Sequence, residues 1–225
     1  MFIVLEGLDG AGKSTQIKKL QRLFEERGAE CAYLHFPRFD APVYGDLIAR
    51  FLRGEFGSAE EVNPYLVALI YAGDRADAAR MIRQWLDEGK VVILDRYLYS
   101  NVGYQCAKLE AGEEREKLRR WILDLEYGYH QIPRPDLSLF LDVPFSFTAR
   151  KLTEQREGDD RSYLQGGADI HEASLTLQQR VREVYLDCAR EDEGLVVVDC
   201  SNEEGGMASP DEIFEKIETL INPLL

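Results

Sequence analysis

The chain has 225 residues, of which 45% are hydrophobic and 30% are charged, as in an ordinary globular protein. Its formal net charge of −14 disfavours general nucleic-acid binding, and no apolar run approaches the roughly 20 residues that span a bilayer. Its four scattered cysteines and three histidines show no metal-ligand spacing, so we expect reduced thiols, no zinc site and a cytoplasmic location.

Five short apolar segments predict the strands of a sheet. Their apolar residues are consecutive rather than alternating, which is typical of parallel strands buried on both faces. The first segment has no basic stretch before it and is interrupted by Glu6, so we interpret it as a core strand and not as a signal peptide. The predicted strands are 2–6, 31–36, 91–95, 137–143 and 195–200.

Helical patterns alternate with these strands. The alternation predicts one α/β domain, residues 1–225, with a right-handed, doubly wound parallel sheet and helices on both faces. The polar, glycine-rich stretch 156–169 predicts a small lid. The predicted helices are about 13–27, 43–53, 63–88, 113–127, 144–156, 171–191 and 210–221.

A glycine-rich loop joins the first strand to the first helix. Residues 7–14 read G-L-D-G-A-G-K-S and match the phosphate-binding pattern G-x-x-x-x-G-K-[ST]. Glycine reaches the dihedrals that turn backbone N–H groups towards a phosphate, and the N-terminus of the helix faces the same anion. Lys13 adds a positive charge, and Ser14 is the expected Mg²⁺ ligand. The predicted ATP-binding residues are Gly7, Asp9, Gly10, Ala11, Gly12, Lys13, Ser14 and Thr15.

A second signal is an acidic residue, Asp95, at the end of the apolar strand 91–95, with Arg96 directly after it. Because ligands of open α/β sheets lie at the carboxyl ends of the strands, Asp95 is expected to face the same crevice as the loop. A carboxylate that handles Mg²⁺ or the acceptor phosphate, beside Arg96 for the transferring charge, indicates phosphoryl transfer. The alternative is an ordinary turn with a surface ion pair. No asparagine is followed by lysine, so the guanine-reading pattern N-K-x-D of GTPases is absent.

Taken together, five segments resemble the thymidylate kinase family. They are E-G-L-D-G-A-G-K-S-T at 6–15, F-P-R at 36–38, Y-A-G-D-R at 71–75, D-R-Y at 95–97 and S-N-V-G-Y-Q at 100–105. The resemblance implies a P-loop NTPase fold with a five-stranded parallel sheet and a homodimer. It also implies transfer of the γ-phosphoryl group of ATP to dTMP, with Mg²⁺, in the synthesis of dTDP and dTTP.

The resemblance also implies a role for each residue of the nucleoside site. Asp9 would accept a hydrogen bond from the sugar 3′-hydroxyl. Tyr71 and Arg75, which share a helix face, would hold the thymine, and Tyr104 and Gln105 would complete its pocket. Taken singly, Tyr71 is more often a core aromatic residue, and an arginine such as Arg75 is often a solvated charge on a helix.

Further residues would act on the phosphates. Arg38 would contact the acceptor monophosphate. Some family members have a basic residue at the position of Gly10; because Gly10 carries no charge, an arginine of the lid, Arg156 or Arg161, would stabilise the transferring phosphate. The expected catalytic residues are Lys13, Asp95, Arg96, Arg156 and Arg161, the metal ligands are Ser14 and Asp95, and the substrate-binding residues are Asp9, Arg38, Tyr71, Arg75, Arg96, Ser100, Tyr104, Gln105 and Tyr163.

Other interpretations stay open. His171 and Glu172 are interpreted as polar residues of a first helical turn, not as a metal motif. Leu66, Leu69 and Ile70 fit either a dimer interface or the core. The expected partners are dTMP, ATP and a second copy of the chain, without nucleic acid or membrane. The alternatives are another deoxynucleotide or deoxynucleoside kinase, or an inactive nucleotide-binding regulator that should have lost the charged residues of the phosphate site.

Overall fold

The computed structural model describes residues 1–153, 159–164, 169–171 and 174–225, with the backbone alone in 151–153 and 159–161. Within this part, five parallel strands form one sheet in the order β2-β3-β1-β4-β5. This confirms the predicted α/β fold. The strands are β1 (Phe2–Gly7), β2 (Cys31–His35), β3 (Val91–Asp95), β4 (Leu137–Asp142) and β5 (Leu195–Asp199), each within a residue of its predicted end.

The helices follow the predicted alternation with one addition. The helix α4 was not predicted, because almost all of its residues are buried and it lacks the polar face of an amphipathic pattern. The helices are α1 (Lys13–Glu26), α2 (Tyr44–Leu52), α3 (Pro64–Asp87), α4 (Leu98–Cys106), α5 (Glu113–Leu123), α6 (Phe145–Thr153), α7 (Leu175–Glu191) and α8 (Pro210–Ile221). A π-helical turn (Asp124–Tyr129) extends α5, and short 3₁₀ helices form at Asp159–Leu164 and Asn222–Leu224.

The sheet is covered by helices on both faces. Phe2 and Val4 of the central strand β1 belong to a core cluster that includes residues of α3, α4, α5 and α7. Ile3 and Leu5 point to the other face and belong to a cluster with α1 and α8. Since successive side chains of a strand point to opposite faces, the four consecutive apolar residues of β1, Phe2 to Leu5, are buried on both sides of the sheet.

Two further expectations can be compared with this structure. All four cysteines have free thiols, and three of them are buried. On α3, Leu66 and Leu69 are 60% and 45% exposed, so they are not core residues. Ile70 packs against a small core cluster instead.

In the ranges that the structure describes, no helix is both long and apolar enough to cross a membrane.

Candidate active site

The glycine-rich loop lies between the end of β1 and the start of α1, at the carboxyl edge of the sheet. Gly10 and Gly12 have φ angles of 78° and 84°, in the left-handed region that glycine adopts at little cost. Leu8 and Ala11 are buried and fix the loop from inside, and the Ala11 N–H donates to the Leu8 carbonyl at 3.2 Å. The N-terminus of α1, which begins at Lys13, therefore faces the space above the sheet.

Lys13 and Asp95 lie together below this loop. Lys13 Nζ donates to the carbonyls of Gly7 and Leu8 at 3.4 and 3.3 Å and lies 3.8 Å from Asp95 Oδ1. Burial and the charge of Arg96 lower the pKa of Lys13. Burial raises the pKa of Asp95, but Lys13 and His35 act more strongly and leave it below its usual value. Asp95 is therefore expected to be ionised at neutral pH, with the Lys13 amine within ion-pair distance of it.

Arg96 connects three of the expected site residues. One terminal nitrogen of its guanidinium donates to Asp9 Oδ1 at 2.7 Å, and the other donates to Ser100 Oγ at 3.1 Å. Tyr104 Oη donates to Asp9 Oδ2 at 2.7 Å. Burial acts to lower the pKa of Arg96, but Tyr104 and Asp9 raise it well above its ordinary value. The expected phosphate-binding arginine is thus a fixed cation beside the expected sugar-binding carboxylate.

The other end of the site is formed by α3 and α4. Arg75 is fully buried, and its guanidinium donates twice to the carboxylate of Glu126, once at 2.7 Å. Asn101 donates to the same carboxylate at 2.9 Å. Gln105 Oε1 is buried and has no hydrogen-bond partner in the described part of the chain. Burial of the Tyr71 hydroxyl raises its pKa, so this ring stays neutral. The result is an uncharged aromatic surface edged by hydrogen-bonding groups.

One cavity of about 580 Å³ runs between these two ends. Pockets for small ligands commonly measure roughly 300–1,000 Å³. Most of the expected site residues line this cavity: Asp9, Gly10, Ala11, Gly12, Lys13, Ser14, Thr15, Tyr71, Arg75, Asp95, Arg96, Ser100, Tyr104, Gln105 and Tyr163. Gly7 lies at the end of β1 below the loop.

Arg38 is the expected site residue that the structure places elsewhere. Its guanidinium donates to Asp74 Oδ1 at 2.8 Å and to Asp77 Oδ2 at 2.7 Å, both on α3. Within the described residues, Phe36, Pro37 and Phe39 line the cavity but Arg38 does not. Two aspartates on the facing helix hold its guanidinium, and its contact with the acceptor phosphate stays a prediction.

The expected lid lies only partly in the described structure. Arg156 falls outside the described residues, and Arg161 is described by its backbone alone. Tyr163 does reach the cavity, where its ring stacks on Phe39 at 3.8 Å and its hydroxyl donates to Asp169 Oδ2 at 2.7 Å. Arg53 at the end of α2 donates to the Tyr163 carbonyl at 2.7 Å. This part of the segment is therefore docked against α2.

His171 is a cavity residue that the sequence interpretation missed. The interpretation as a first-turn helical residue is wrong, because α7 begins at Leu175 and its cap is Ser174, which accepts from the Leu177 N–H. The His171 ring is buried, stacks on Tyr104 at 4.9 Å and lines the cavity. Burial lowers its pKa well below the usual value, so it is neutral at pH 7. The serine at 174 was the available signal, since serine is a preferred helix N-cap.

Partners of the site residues were also missed. In the sequence, Glu6 is only an interruption of an apolar run, yet it is fully buried among hydrogen-bond donors of α4 and α7. Glu126 carried no signal at all, because its role depends on α5 and α3 packing together. His35 is a third example, since its imidazole lies 3.4 Å from Asp95 Oδ2 and lines the cavity.

The chain resembles known proteins over most of its length. The thymidylate kinase family model matches residues 5–208. A thymidylate kinase of Mycobacterium tuberculosis is 35% identical over 189 residues, covering 84% of this chain and 86% of that relative. A probable thymidylate kinase of Pyrococcus abyssi is 33% identical over 222 residues, covering 98% of this chain and 95% of that relative. A solved thymidylate kinase structure from Candida albicans has a TM-score of 0.74 at 24% identity, with 98% of this chain and 90% of that chain covered, and supports the fold alone.

Proposed function

The chain belongs to the thymidylate kinase family, and we propose that the cavity described above is where it transfers the γ-phosphoryl group of ATP to dTMP, with dTDP and ADP as products. The observation that carries this proposal is the cavity itself. One of its ends is a glycine loop with Lys13 and Arg96, and the other is formed by Tyr71, Gln105 and Arg75, whose charge is paired with Glu126. A nucleoside monophosphate likewise has an anionic phosphate at one end and a flat base at the other.

At the phosphate end, the proposed chemistry is direct in-line transfer. The N–H groups of the loop and the N-terminus of α1 bind the phosphates of ATP. Lys13 and Arg96 neutralise the charge that develops on the transferred group. The acceptor phosphate attacks without needing a protein base, because its oxygens are already ionised at neutral pH.

At the nucleoside end, the residues are suited to a deoxypyrimidine. Tyr71 offers a ring on which a base can stack, and Arg75, fixed by Glu126, can donate to a base carbonyl. Asp9 lies between these groups and the phosphates, where a sugar 3′-hydroxyl would donate to it. Tyr104 and His171 stack on one another beside Asp9 and restrict the space around the sugar.

Ser14 and Asp95 fit a divalent cation that is bound mainly through nucleotide phosphates. Ser14 is exposed at the start of α1, and Asp95 Oδ1 is buried without a hydrogen-bond partner among the described residues. No cluster of three acidic, histidine or cysteine side chains that could hold an ion by itself occurs in the described ranges. Ser14 and Asp95 would hold Mg²⁺ here, and its positive charge would offset the negative charge of the phosphates.

Three further parts of the proposal depend on the family resemblance. A homodimer is supported by the exposed Leu66 and Leu69 on α3, since exposed apolar side chains on one helix face are suited to an interface. A lid arginine, Arg156 or Arg161, is proposed for the transferred phosphate. A cytoplasmic location stays a prediction.

The proposal is tested by measuring ADP formation with ATP and each of dTMP, dUMP, dGMP and thymidine. We expect dTMP to be the best acceptor. Lys13→Ala should lower kcat by several orders of magnitude without unfolding the protein, because the lysine acts on the transferred charge. Lys18→Ala, on the exposed face of the same helix, is the matched control and should retain activity. A near-normal rate for Lys13→Ala would contradict the assignment of the phosphate site.

A further inference from the structure

Glu6 is a buried carboxylate that the proposed reaction does not use. It lies on the central strand β1 and is fully shielded from solvent. One of its oxygens accepts from the backbone N–H groups of Tyr97 and Ser100 at 2.9 and 3.3 Å. The other accepts from the hydroxyls of Ser100 and Tyr185 at 2.6 and 2.9 Å. A buried carboxylate is costly unless it is paired in this way, so an apolar strand residue would have been the simpler choice for the fold.

Three of these four donors lie at the start of α4, so Glu6 holds the N-terminus of that helix. Tyr97 is the N-cap residue of α4 and Ser100 lies in its first turn, but Tyr97 provides no side-chain cap in the described structure. Glu6 therefore caps α4 from a neighbouring strand. The first N–H groups of a helix have no partners within the helix, and a negative charge there also favours the helix dipole.

Two hydrogen bonds from consecutive backbone N–H groups, those of Arg96 and Tyr97, tie the turn at Arg96 to β1. Arg96 has a φ angle of 67°, which for a residue with a side chain costs on the order of 1–3 kcal/mol. Its own N–H donates to the Leu5 carbonyl at 2.9 Å, and the next N–H, that of Tyr97, donates to Glu6. The guanidinium is held as well, because it donates to Ser100 Oγ at 3.1 Å and Ser100 Oγ donates to Glu6.

We propose that Glu6 is a positioning residue for phosphoryl transfer, which fixes the backbone turn and the guanidinium direction of Arg96 through Tyr97 and Ser100. Glu6 does not line the cavity in the described structure, so it acts through Arg96 and not on the nucleotides. The inference rests on the proposed function, in which Arg96 contacts the phosphates.

The main test is Glu6→Gln, which keeps the shape but replaces one accepting oxygen by an NH₂ group that faces other donors. We expect kcat to fall about 10- to 100-fold, as a displacement of about 1 Å at a reacting group can cause. Tyr99→Phe is the matched control, because the Tyr99 hydroxyl of α4 donates to Asp192 and makes no hydrogen bond to Glu6, Ser100 or Arg96 in the described structure. It should leave kcat close to that of the parent enzyme.

A double-mutant cycle separates positioning from general stability. If Glu6 acts through Arg96, Glu6→Gln should lower kcat little further in an Arg96→Gln background, and thermal unfolding should show that every variant is folded at the assay temperature. The inference is overturned if Arg96→Gln lowers kcat but Glu6→Gln leaves it normal. It is also overturned if Glu6→Gln lowers kcat by the same factor in the parent enzyme and in the Arg96→Gln variant. A normal kcat for Arg96→Gln would overturn the proposed role of Arg96 together with the inference.

Ser100→Ala is the second variant, for use if Glu6→Gln does not fold. It removes the hydroxyl that links Glu6 to the guanidinium and leaves the carboxylate paired with backbone N–H groups. A lowered kcat that depends on Arg96 in the same cycle is expected. An unchanged kcat for Ser100→Ala would overturn the inference.

Discussion

Replacing Glu126 by glutamine would test how the base-binding end of the site is held in place. Glu126 is fully buried in the π-helical turn after α5 and accepts two hydrogen bonds from the Arg75 guanidinium. It also accepts from Asn101 at 2.9 Å. Glutamine has nearly the same shape but a single oxygen, so it cannot accept both guanidinium N–H groups. The charge of Arg75 would remain buried without its counter-ion.

The expected effect can be estimated from this geometry. Removing one partner of a buried ion pair costs about 3–5 kcal/mol, and glutamine, which keeps one hydrogen bond, should lie near the lower value. For a chain of this length, 1 kcal/mol corresponds to about 2–4 °C in Tm, so we expect Tm to fall by about 6–12 °C. Because Arg75 lies at the base end of the cavity, the KM for dTMP should rise more than kcat falls.

Thermal unfolding and steady-state kinetics with varied dTMP measure the two effects. Glu116→Gln is the matched control, because Glu116 also accepts from two arginines, Arg119 and Arg120, but on the helix surface. Its loss should change stability by less than about 1 kcal/mol. Equal Tm values for the two variants, or a Glu126→Gln enzyme with unchanged KM for dTMP, would refute the reasoning.

Two further predictions concern stability. Burial lowers the pKa of Lys108 to about 7, and its Nζ has no hydrogen-bond partner among the described residues. Folding therefore disfavours the charged form of Lys108, so Lys108→Met should stabilise the protein by on the order of 1–4 kcal/mol near pH 6. This gain should shrink as the pH rises towards about 10, where the lysine is also neutral in the unfolded chain. Denaturant unfolding that gave the same gain near pH 6 and near pH 10 would contradict the prediction. Gly73→Ala should destabilise the protein despite an intrinsic helix gain of about 1 kcal/mol, because its Cβ would lie 2.2 Å from Tyr44 Cε1. Gly128→Ala, with no atom within 4 Å of the added Cβ, is the control in thermal unfolding, and an equal Tm for the two would count against the clash.

Much of the phosphate end could be predicted from the sequence. The loop at residues 7–14 is a local backbone feature, and its glycines, Lys13 and Ser14 are brought together by their spacing alone. Asp95 and Arg96 were placed beside it by a general property of parallel sheets, whose carboxyl ends share one edge. At the nucleoside end, His171 and Glu126 could not be predicted, because His171 lines the cavity from the segment before α7 and Glu126 holds Arg75 from the turn after α5.

The sequence by itself determined the sheet, its strands and most helices, because periodicity and consecutive apolar runs report how each segment is buried. It did not determine α4, whose buried residues leave no polar face to detect. Only the tertiary structure decided which carboxylates Arg75 and Arg38 meet. Arg75 pairs with Glu126, 51 residues away, and Arg38 with Asp74 rather than the cavity. With 41 acidic residues in the chain, spacing cannot choose among them; the packing of the helices brings one within reach and excludes the others.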